Sequence, residues 1–224
     1  METTSPRKSR VQGHRAFCLG LAALLIAGCG GSDPRQDENE EGADYPVEVT
    51  VAEFAPKQRL AETTDLELAF RNSGDETIPD LAVTIYTGDV KADGAFNVRS
   101  TQEGLADPNR PVWILENDYP KILEDGASTK DLDSAPTAGA ETASTNTYAF
   151  GELPPDEEIH VVFRVTPVVA GTYTVHYEVA AGLDGKAVAV TDTGEPVEGE
   201  FVATITDKPS ATKVDEDGNV VPAD

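Results

Sequence analysis

Two stretches decide the fold: residues 159–165 (IHVVFRV) and residues 173–179 (YTVHYEV). In both, apolar residues recur at every second position, which is the side-chain period of a β-strand with one buried face. The predicted inward-facing residues are Ile159, Val161, Phe163 and Val165 in the first stretch and Tyr173, Val175, Tyr177 and Val179 in the second. Pro167 ends the first strand, and Gly171 belongs to the turn before the second.

The same period of two continues through most of the chain from residue 46 onward. Further strands are predicted near residues 47–51, 66–70, 81–85, 187–191 and 201–205. Turns rich in Gly, Pro, Asn and Asp separate them, and Leu183–Lys186 is predicted to be a hairpin turn. Seven or more short alternating strands without a long amphipathic helix predict an all-β fold, a two-sheet antiparallel β-sandwich.

Two segments carry a family resemblance. Residues 66–84 (LELAFRNSGDETIPDLAVT) resemble the strand, Asn-x-Gly-Asp turn and strand of bacterial immunoglobulin-like domains, found in adhesion-related and surface-repeat proteins. Residues 153–156 (LPPD) and 170–175 (AGTYTV) match the same class. The resemblance covers residues 46–88 and 146–207, implies an immunoglobulin-like β-sandwich domain at residues 46–207, and carries no functional residues. Tyr173 is similar to a tyrosine corner, whose hydroxyl bonds back to nearby backbone.

The N-terminus has the pattern of a bacterial export signal. A basic start precedes an apolar run at residues 16–27 (AFCLGLAALLIA), which is too short to span a membrane. Ile26, Ala27 and Gly28 precede Cys29, and together they resemble a lipobox. The resemblance implies removal of residues 1–28 and attachment of a diacylglyceryl group, with palmitate-like acyl chains, to Cys29. The alternative is an ordinary secreted protein with a chance cysteine.

Charge and cysteine content exclude several functions. The 224 residues carry 17 Lys and Arg against 41 Asp and Glu, a formal net charge of −24, which argues against nucleic-acid binding. After removal of Cys18, the lipidated Cys29 would be the single remaining cysteine, so disulfides and thiol catalysis are excluded. Residues 29–45 are acidic and poor in apolar residues, which predicts a disordered tether. Residues 208–224 are predicted to form a loose C-terminal tail.

A long insertion interrupts the predicted domain at residues 88–145. Two short strands are predicted inside it, Phe96–Val98 and Val112–Leu115. Residues 127–145 have the Ala, Thr and Ser content of a mobile loop. Because long loops on a rigid scaffold often carry function, Trp113 and Tyr119 are candidate binding residues. The alternative for Trp113 is a core residue beneath the insertion.

No catalytic or metal-binding motif emerges from the sequence. His160 and His176 fall on outward positions of strands predicted to lie in opposite sheets. No nucleophile motif accompanies them, so the sequence predicts neither an enzyme nor a cofactor or metal site. An irregular calcium site near Asp107, Asp131 or Asp133 remains an alternative.

These observations predict a lipoprotein anchored on the extracytoplasmic face of a bacterial cell membrane. Its β-sandwich would be a non-catalytic module for interaction, adhesion or envelope structure, with a protein or glycan partner at residues 88–145. The alternative is a calcium-dependent or solute-binding lipoprotein that works beside a transporter.

Overall fold

The computed structural model describes residues 42–88, 95–98, 111–124, 126–134, 136–141, 146–208, 212–214, 218 and 220–222. Backbone contacts divide the chain into two units, Met1–Arg35 and Gln36–Asp224, and every element below belongs to the second. The predicted signal peptide, the lipobox with Cys29, and the tether up to residue 41 lie outside the described residues.

The described part of the chain contains fifteen strands and one 3₁₀ helix. In chain order they are β1 (Ala43–Phe54), β2 (Lys57–Arg59), β3 (Thr64–Asn72), β4 (Ala82–Thr87), β5 (Phe96–Val98), β6 (Trp113–Leu115), β7 (Lys121–Ile122), the 3₁₀ helix (Thr129–Ser134), β8 (Ala140–Glu141), β9 (Thr147–Ala149), β10 (Glu158–Pro167), β11 (Gly171–Ala180), β12 (Ala187–Val190), β13 (Glu198–Thr206), β14 (Thr212–Val214) and β15 (Val220–Pro222). Within these residues no helix is long and apolar enough to cross a membrane.

The strands form two main sheets, so the predicted all-β, immunoglobulin-like sandwich is confirmed. The first sheet has seven strands in the order β12-β1-β3-β10-β6-β5, with β7 also paired to β10. The second has six strands in the order β2-β13-β11-β4-β9-β8. Most pairs are antiparallel, and the parallel pairs are β1 with β12, β2 with β13, and β5 with β6.

The predicted hairpin turn at Leu183–Lys186 is wrong. The chain leaves β11 in the second sheet and crosses to the first, where β12 pairs with β1 in parallel, Ala43 opposite Ala187. Both edges of β11 are already bonded, to β13 on one side and β4 on the other. β12 therefore cannot pair with the strand that precedes it and takes the open edge of β1 instead.

The core between the sheets follows the predicted alternation. Phe163 of β10 lies opposite Leu66 of β3, and both side chains are fully buried. From the other sheet, Tyr177 brings its ring to 6.5 Å from that of Phe70. Inward-facing residues that are completely inaccessible include Leu66, Leu68, Phe70, Val161, Phe163, Val165 and Val175. Packing of these side chains is the main stabilising contribution to the fold.

One strand departs from the alternation because of a β-bulge. The register of β1 against β3 shifts between Val49 and Val51, where Thr50 is the extra residue. Unbroken alternation from Val47 and Val49 would place Val51 inward, but it lies opposite the outward position of Ala69. Beyond the bulge the buried residue is Phe54, an even-numbered position. A bulge reverses the face of every following side chain, and a sequence pattern alone does not reveal it.

The turn after β3 forms as predicted and is held by a buried amide. The side chain of Asn72 accepts a hydrogen bond from the Gly74 N–H at 3.0 Å. Its Nδ2 donates to the carbonyls of Glu76 and Leu153, both at 2.8 Å. A Cβ on Gly74 would lie 2.9 Å from the ring of Pro46, so the turn requires glycine there.

The tyrosine corner is also confirmed. The hydroxyl of Tyr173 donates to the Ala170 carbonyl at 3.0 Å, which ties the start of β11 to the turn before it.

Two ends of the domain differ in detail from the predicted boundaries. β1 begins at Ala43, three residues before the predicted domain start, because Tyr45 is buried and its neighbours pair with β12. At the other end, the predicted loose tail at 208–224 contains an antiparallel hairpin of β14 and β15.

Candidate functional site

The outer face of β10 is covered by the insertion. Val162 points away from the sheet interface, yet its side chain is completely buried. β7 pairs with β10, placing Lys121 opposite Val162, and the Leu123 N–H donates to the His160 carbonyl at 2.8 Å. Leu132 of the 3₁₀ helix is 2% exposed. We call the described residues 119–124, 126–134 and 136–141 the insertion cover.

This arrangement corrects the prediction of a mobile loop at residues 127–145 for residues 127–134 and 136–141, while residues 135 and 142–145 lie outside the described residues. Its first part forms the 3₁₀ helix, and the described residues after it continue to β8. Ala138 donates its backbone N–H to the Pro120 carbonyl at 2.9 Å, which closes the insertion cover on itself. Alanine and threonine content suggested mobility, but the buried Leu132 fixes the segment on the sheet.

Arg164 fastens the insertion cover to the sheet. Its guanidinium forms a bidentate ion pair with Asp65 of β3, with Nε–Oδ1 at 2.9 Å and Nη2–Oδ2 at 3.1 Å. Nη2 also donates to the Thr129 carbonyl at 2.9 Å. Both charged side chains are about one-fifth exposed, 20% for Arg164 and 19% for Asp65. A planar guanidinium suits this role because its donors are fixed in direction.

A second cation lies beneath the insertion cover. Lys121 is 4% exposed and its Nζ donates to the Leu132 carbonyl at 2.6 Å. The ring of Tyr119 is in contact with both cations, with its centroid 5.0 Å from Lys121 Nζ and 5.0 Å from Arg164 Cζ. Cation–π contacts of this kind contribute about 0.5–2 kcal/mol each. Tyr119, a predicted binding residue, therefore belongs to the contacts that hold the insertion cover on the sheet.

A recess of about 510 Å³ opens in the insertion cover. Its lining residues are Ile122, Leu123, Glu124, Ala127, Asp131, Leu132, Pro136 and Ala138. The volume falls within the roughly 300–1,000 Å³ that is usual for ligand sites. Ile122 is 37% exposed, and the carboxylates of Glu124 and Asp131 are the charged groups among these residues. One Asp131 oxygen accepts the Ser128 N–H at 2.9 Å, which orients that side chain.

Trp113 lies in the core. It is fully buried, and its indole Nε1–H donates to Gln58 Oε1 at 2.7 Å. The rings of Phe54 and Tyr173 lie 5.6 and 5.8 Å away. Trp113 is therefore a core residue, as the alternative prediction had it. A fully buried indole presents no surface to a partner.

The two histidines lie in different sheets, as predicted. His160 Nε2 is 3.3 Å from Glu67 Oε2 on the first sheet, and His176 Nδ1 is 3.7 Å from Glu200 Oε2 on the second. Among the described residues there is no group of three or more His, Cys, Asp or Glu that could hold a metal ion. The predicted calcium alternative involves Asp107 and the side chain of Asp133, which lie outside the described residues.

The outer face of the second sheet is polar. Tyr86 donates its hydroxyl to Glu178 Oε1 at 2.8 Å, and its ring stacks on His176 with 5.1 Å between centroids. Burial, and then the hydrogen bond and negative charge of Glu178, raise the pKa of Tyr86 to about 12. Paired threonines line the same face, Thr84 with Thr147 at 2.9 Å.

Comparison with known proteins adds three structural likenesses. No protein-family model matches the chain, and no curated protein matches it. The chain is similar to the CARDB domain of a Pyrococcus furiosus protein, with 14% identity, 75% of this chain and 97% of that chain covered, and a TM-score of 0.39. It is also similar to Escherichia coli α2-macroglobulin from domain MG7 to the C-terminus, with 14% identity, 78% of this chain and 21% of that chain covered, and a TM-score of 0.38. The third likeness is to BslA, a bacterial hydrophobin, with 12% identity, 75% of this chain and 98% of that chain covered, and a TM-score of 0.37. These likenesses concern the fold alone, which rests here on the chain's own strand pairing.

Proposed function

We propose that this protein is a lipid-anchored, non-catalytic interaction module on the extracytoplasmic face of a bacterial cell membrane. The observation that carries the proposal is the insertion cover, an ordered segment with an accessible recess on the outside of a rigid sandwich. Loops held on a rigid scaffold are a common place for recognition.

The N-terminal sequence supports the anchor. A basic start, a short apolar run and the lipobox of Ile26, Ala27, Gly28 and Cys29 follow one another in the order that lipoproteins use. The first strand begins at Ala43, so the predicted acidic tether separates the domain from Cys29. An anionic bilayer surface would repel a chain with a net charge of −24.

The proposal of a non-catalytic role draws on the sequence. His160 and His176 are the usual type of general base, and they lie in different sheets. Each imidazole has a glutamate carboxylate beside it, Glu67 at 3.3 Å and Glu200 at 3.7 Å. No nucleophile motif accompanies either histidine in the sequence, so we propose that they take part in no reaction.

The anchor is tested by mass spectrometry of the N-terminal peptide from membranes. We expect Cys29 at the new N-terminus with a lipid mass, and we expect Cys29→Ser to abolish cleavage and lipid attachment. Cys18→Ser is the matched control, since it removes a cysteine from the apolar run and should leave both unchanged. A free thiol at Cys29 would contradict the anchor.

The contact region is tested by placing a photo-crosslinking amino acid at Ala127 or Ala170 on intact cells. Ala127 lines the recess, whereas Ala170 is exposed in the turn before β11. We expect an adduct of defined mass from position 127 and none from position 170. Equal adducts from the two positions, or adducts from position 170 alone, would contradict the proposed contact region.

A further inference from the structure

We propose that the recess in the insertion cover binds a protein segment in which an apolar side chain stands next to Lys or Arg. This inference rests on the proposed function and names the chemistry of its partner. Three properties of the recess carry it: an apolar lining, negative charge at its surface, and a fixed shape.

The apolar part of the recess is accessible. In β7, Lys121 shares the outer side of the sheet with Val162 and is buried beneath the 3₁₀ helix, whereas Ile122 lies on the opposite side with 37% of its surface exposed. Leu123, Ala127, Pro136 and Ala138 extend this apolar surface. Removing such surface from water favours complex formation. An apolar side chain of a partner would therefore be bound here.

The exposed charges in the recess lining are the carboxylates of Glu124 and Asp131. The neighbouring cations Lys121 and Arg164 bond to the carbonyls of Leu132 and Thr129, and Lys130 is exposed but does not line the recess. The chain as a whole carries a net charge of −24. A cationic segment is attracted, while an acidic peptide or a second copy of this chain is repelled. Charge complementarity therefore selects Lys or Arg as the second element of the partner.

The shape of the recess is set before a partner arrives. Arg164 bonds to the Thr129 carbonyl and Lys121 to the Leu132 carbonyl, so two separate cations hold the 3₁₀ helix against the sheet. A preformed site loses less conformational entropy on binding than a loop that must first become ordered. A short segment buries little surface area, so its affinity depends on a small loss of conformational entropy at the site.

The test uses the full chain purified in a neutral detergent and two labelled hexapeptides, KLSKLS and its acidic counterpart ELSELS. We expect saturable binding of KLSKLS by fluorescence anisotropy and no binding of ELSELS. Binding of both peptides alike, or of neither, would overturn the proposal.

Two double variants test whether the charge acts locally. Glu124→Gln with Asp131→Asn removes both recess charges, and asparagine keeps an acceptor for the Ser128 N–H. We expect KLSKLS to bind about tenfold more weakly, since exposed charge pairs contribute up to about 1 kcal/mol each. The matched control, Glu195→Gln with Asp207→Asn, removes the same charge from exposed positions near the second sheet. Its affinity should change less than about twofold. Equal loss in both double variants would overturn the proposal.

Hydrogen exchange of the unmodified chain tests the same proposal without relying on the folding of a variant. Adding KLSKLS should slow backbone hydrogen exchange in residues 122–132 and leave residues 198–206 unchanged. Protection elsewhere, or none, would overturn the proposal. If the photo-crosslinker at Ala127 captures a partner while KLSKLS does not bind, the proposed function stands and this inference about the partner's chemistry is wrong.

Discussion

The two faces of β10 show two different ways of burying a strand. On the inner face, Phe163 meets aromatic rings from both halves of the sandwich, 5.0 Å from Tyr148 and 6.0 Å from Phe96. On the outer face, Val162 is buried equally well, but beneath a segment fastened by Arg164 and Lys121. Apolar packing stabilises the inner face, whereas a few directional polar bonds position the cover over the outer face. The inner face should therefore dominate global stability and the outer face should be separable from it.

The largest effect on the free energy of unfolding is expected from a cavity on the inner face of β10. Phe163→Ala should lower the free energy of unfolding by about 3–5 kcal/mol, because a fully buried ring is replaced by a cavity. Urea denaturation followed by tryptophan fluorescence measures it, since Trp113 reports on the same core.

The control for that change lies on the same strand. His160→Ala removes a partly exposed side chain from the outer face and should change stability by no more than about 0.5 kcal/mol. Similar losses for the two variants would mean that the faces of β10 are assigned wrongly.

The next largest effect is expected from releasing the insertion cover. Arg164→Gln removes the paired bonds to Asp65 and leaves a partly buried carboxylate without its cation, so we expect a loss of about 2–3 kcal/mol. Arg71→Gln is the matched control, because the Arg71–Glu48 pair is about half exposed, 47% and 49%. Exposed pairs contribute about 0–1 kcal/mol. Thermal and urea unfolding of both variants would make the comparison, and equal losses would contradict the fastening role of Arg164.

A smaller effect tests whether the outer face of β10 is dry. Val162→Thr keeps the shape of the side chain and adds a hydroxyl, which should cost about 1–3 kcal/mol beneath the insertion cover. Val188→Thr on β12 makes the same change at a position that is 40% exposed, and it should be nearly neutral. Chemical denaturation distinguishes them, and a neutral Val162→Thr would show that water reaches this face.

The smallest effect concerns the polar face of the second sheet. Tyr86 should ionise near pH 12 in the folded protein, whereas an unfolded tyrosine ionises near pH 10. Its contribution to stability is therefore complete below pH 10 and is lost as the pH rises from 10 through 12.

Absorbance at 295 nm measures this ionisation in the wild type and in Tyr86→Phe, whose difference isolates the Tyr86 step. In Glu178→Gln the step should move toward pH 10 without reaching it, since burial is the largest cause of the shift and remains. A step unaffected by Glu178→Gln would contradict the hydrogen bond between the two side chains.

The sequence predicted the inner face well because alternation is a local signal. The inward rows of β10 and β11, the Asn72 turn and the Tyr173 hydroxyl bond each depend on residues close together in the chain. Alternation also placed both histidines on outward positions, and their separation into different sheets followed from the immunoglobulin-like strand order that the resemblance implies.

The features that the sequence did not predict depend on distant residues. Arg164 and Asp65 are 99 positions apart, and nothing near either residue indicates the pair. The same holds for β12, whose partner β1 lies at the opposite end of the domain. One weak signal was available for the insertion cover: Val162 makes Val161–Phe163 a continuous apolar run, which is typical of a strand buried on both faces.

Hydrogen exchange at the backbone N–H of Leu123 tests the central claim, that the insertion cover is ordered on the sandwich. This N–H donates to the His160 carbonyl of β10 at 2.8 Å. We expect it to exchange at least a hundredfold more slowly than an unstructured peptide, and to be accelerated in Arg164→Gln while the amides of β11 keep their protection. Exchange of Leu123 at the rate of an unstructured peptide in the unmodified chain would contradict the ordered cover, and with it the recess and its proposed partner.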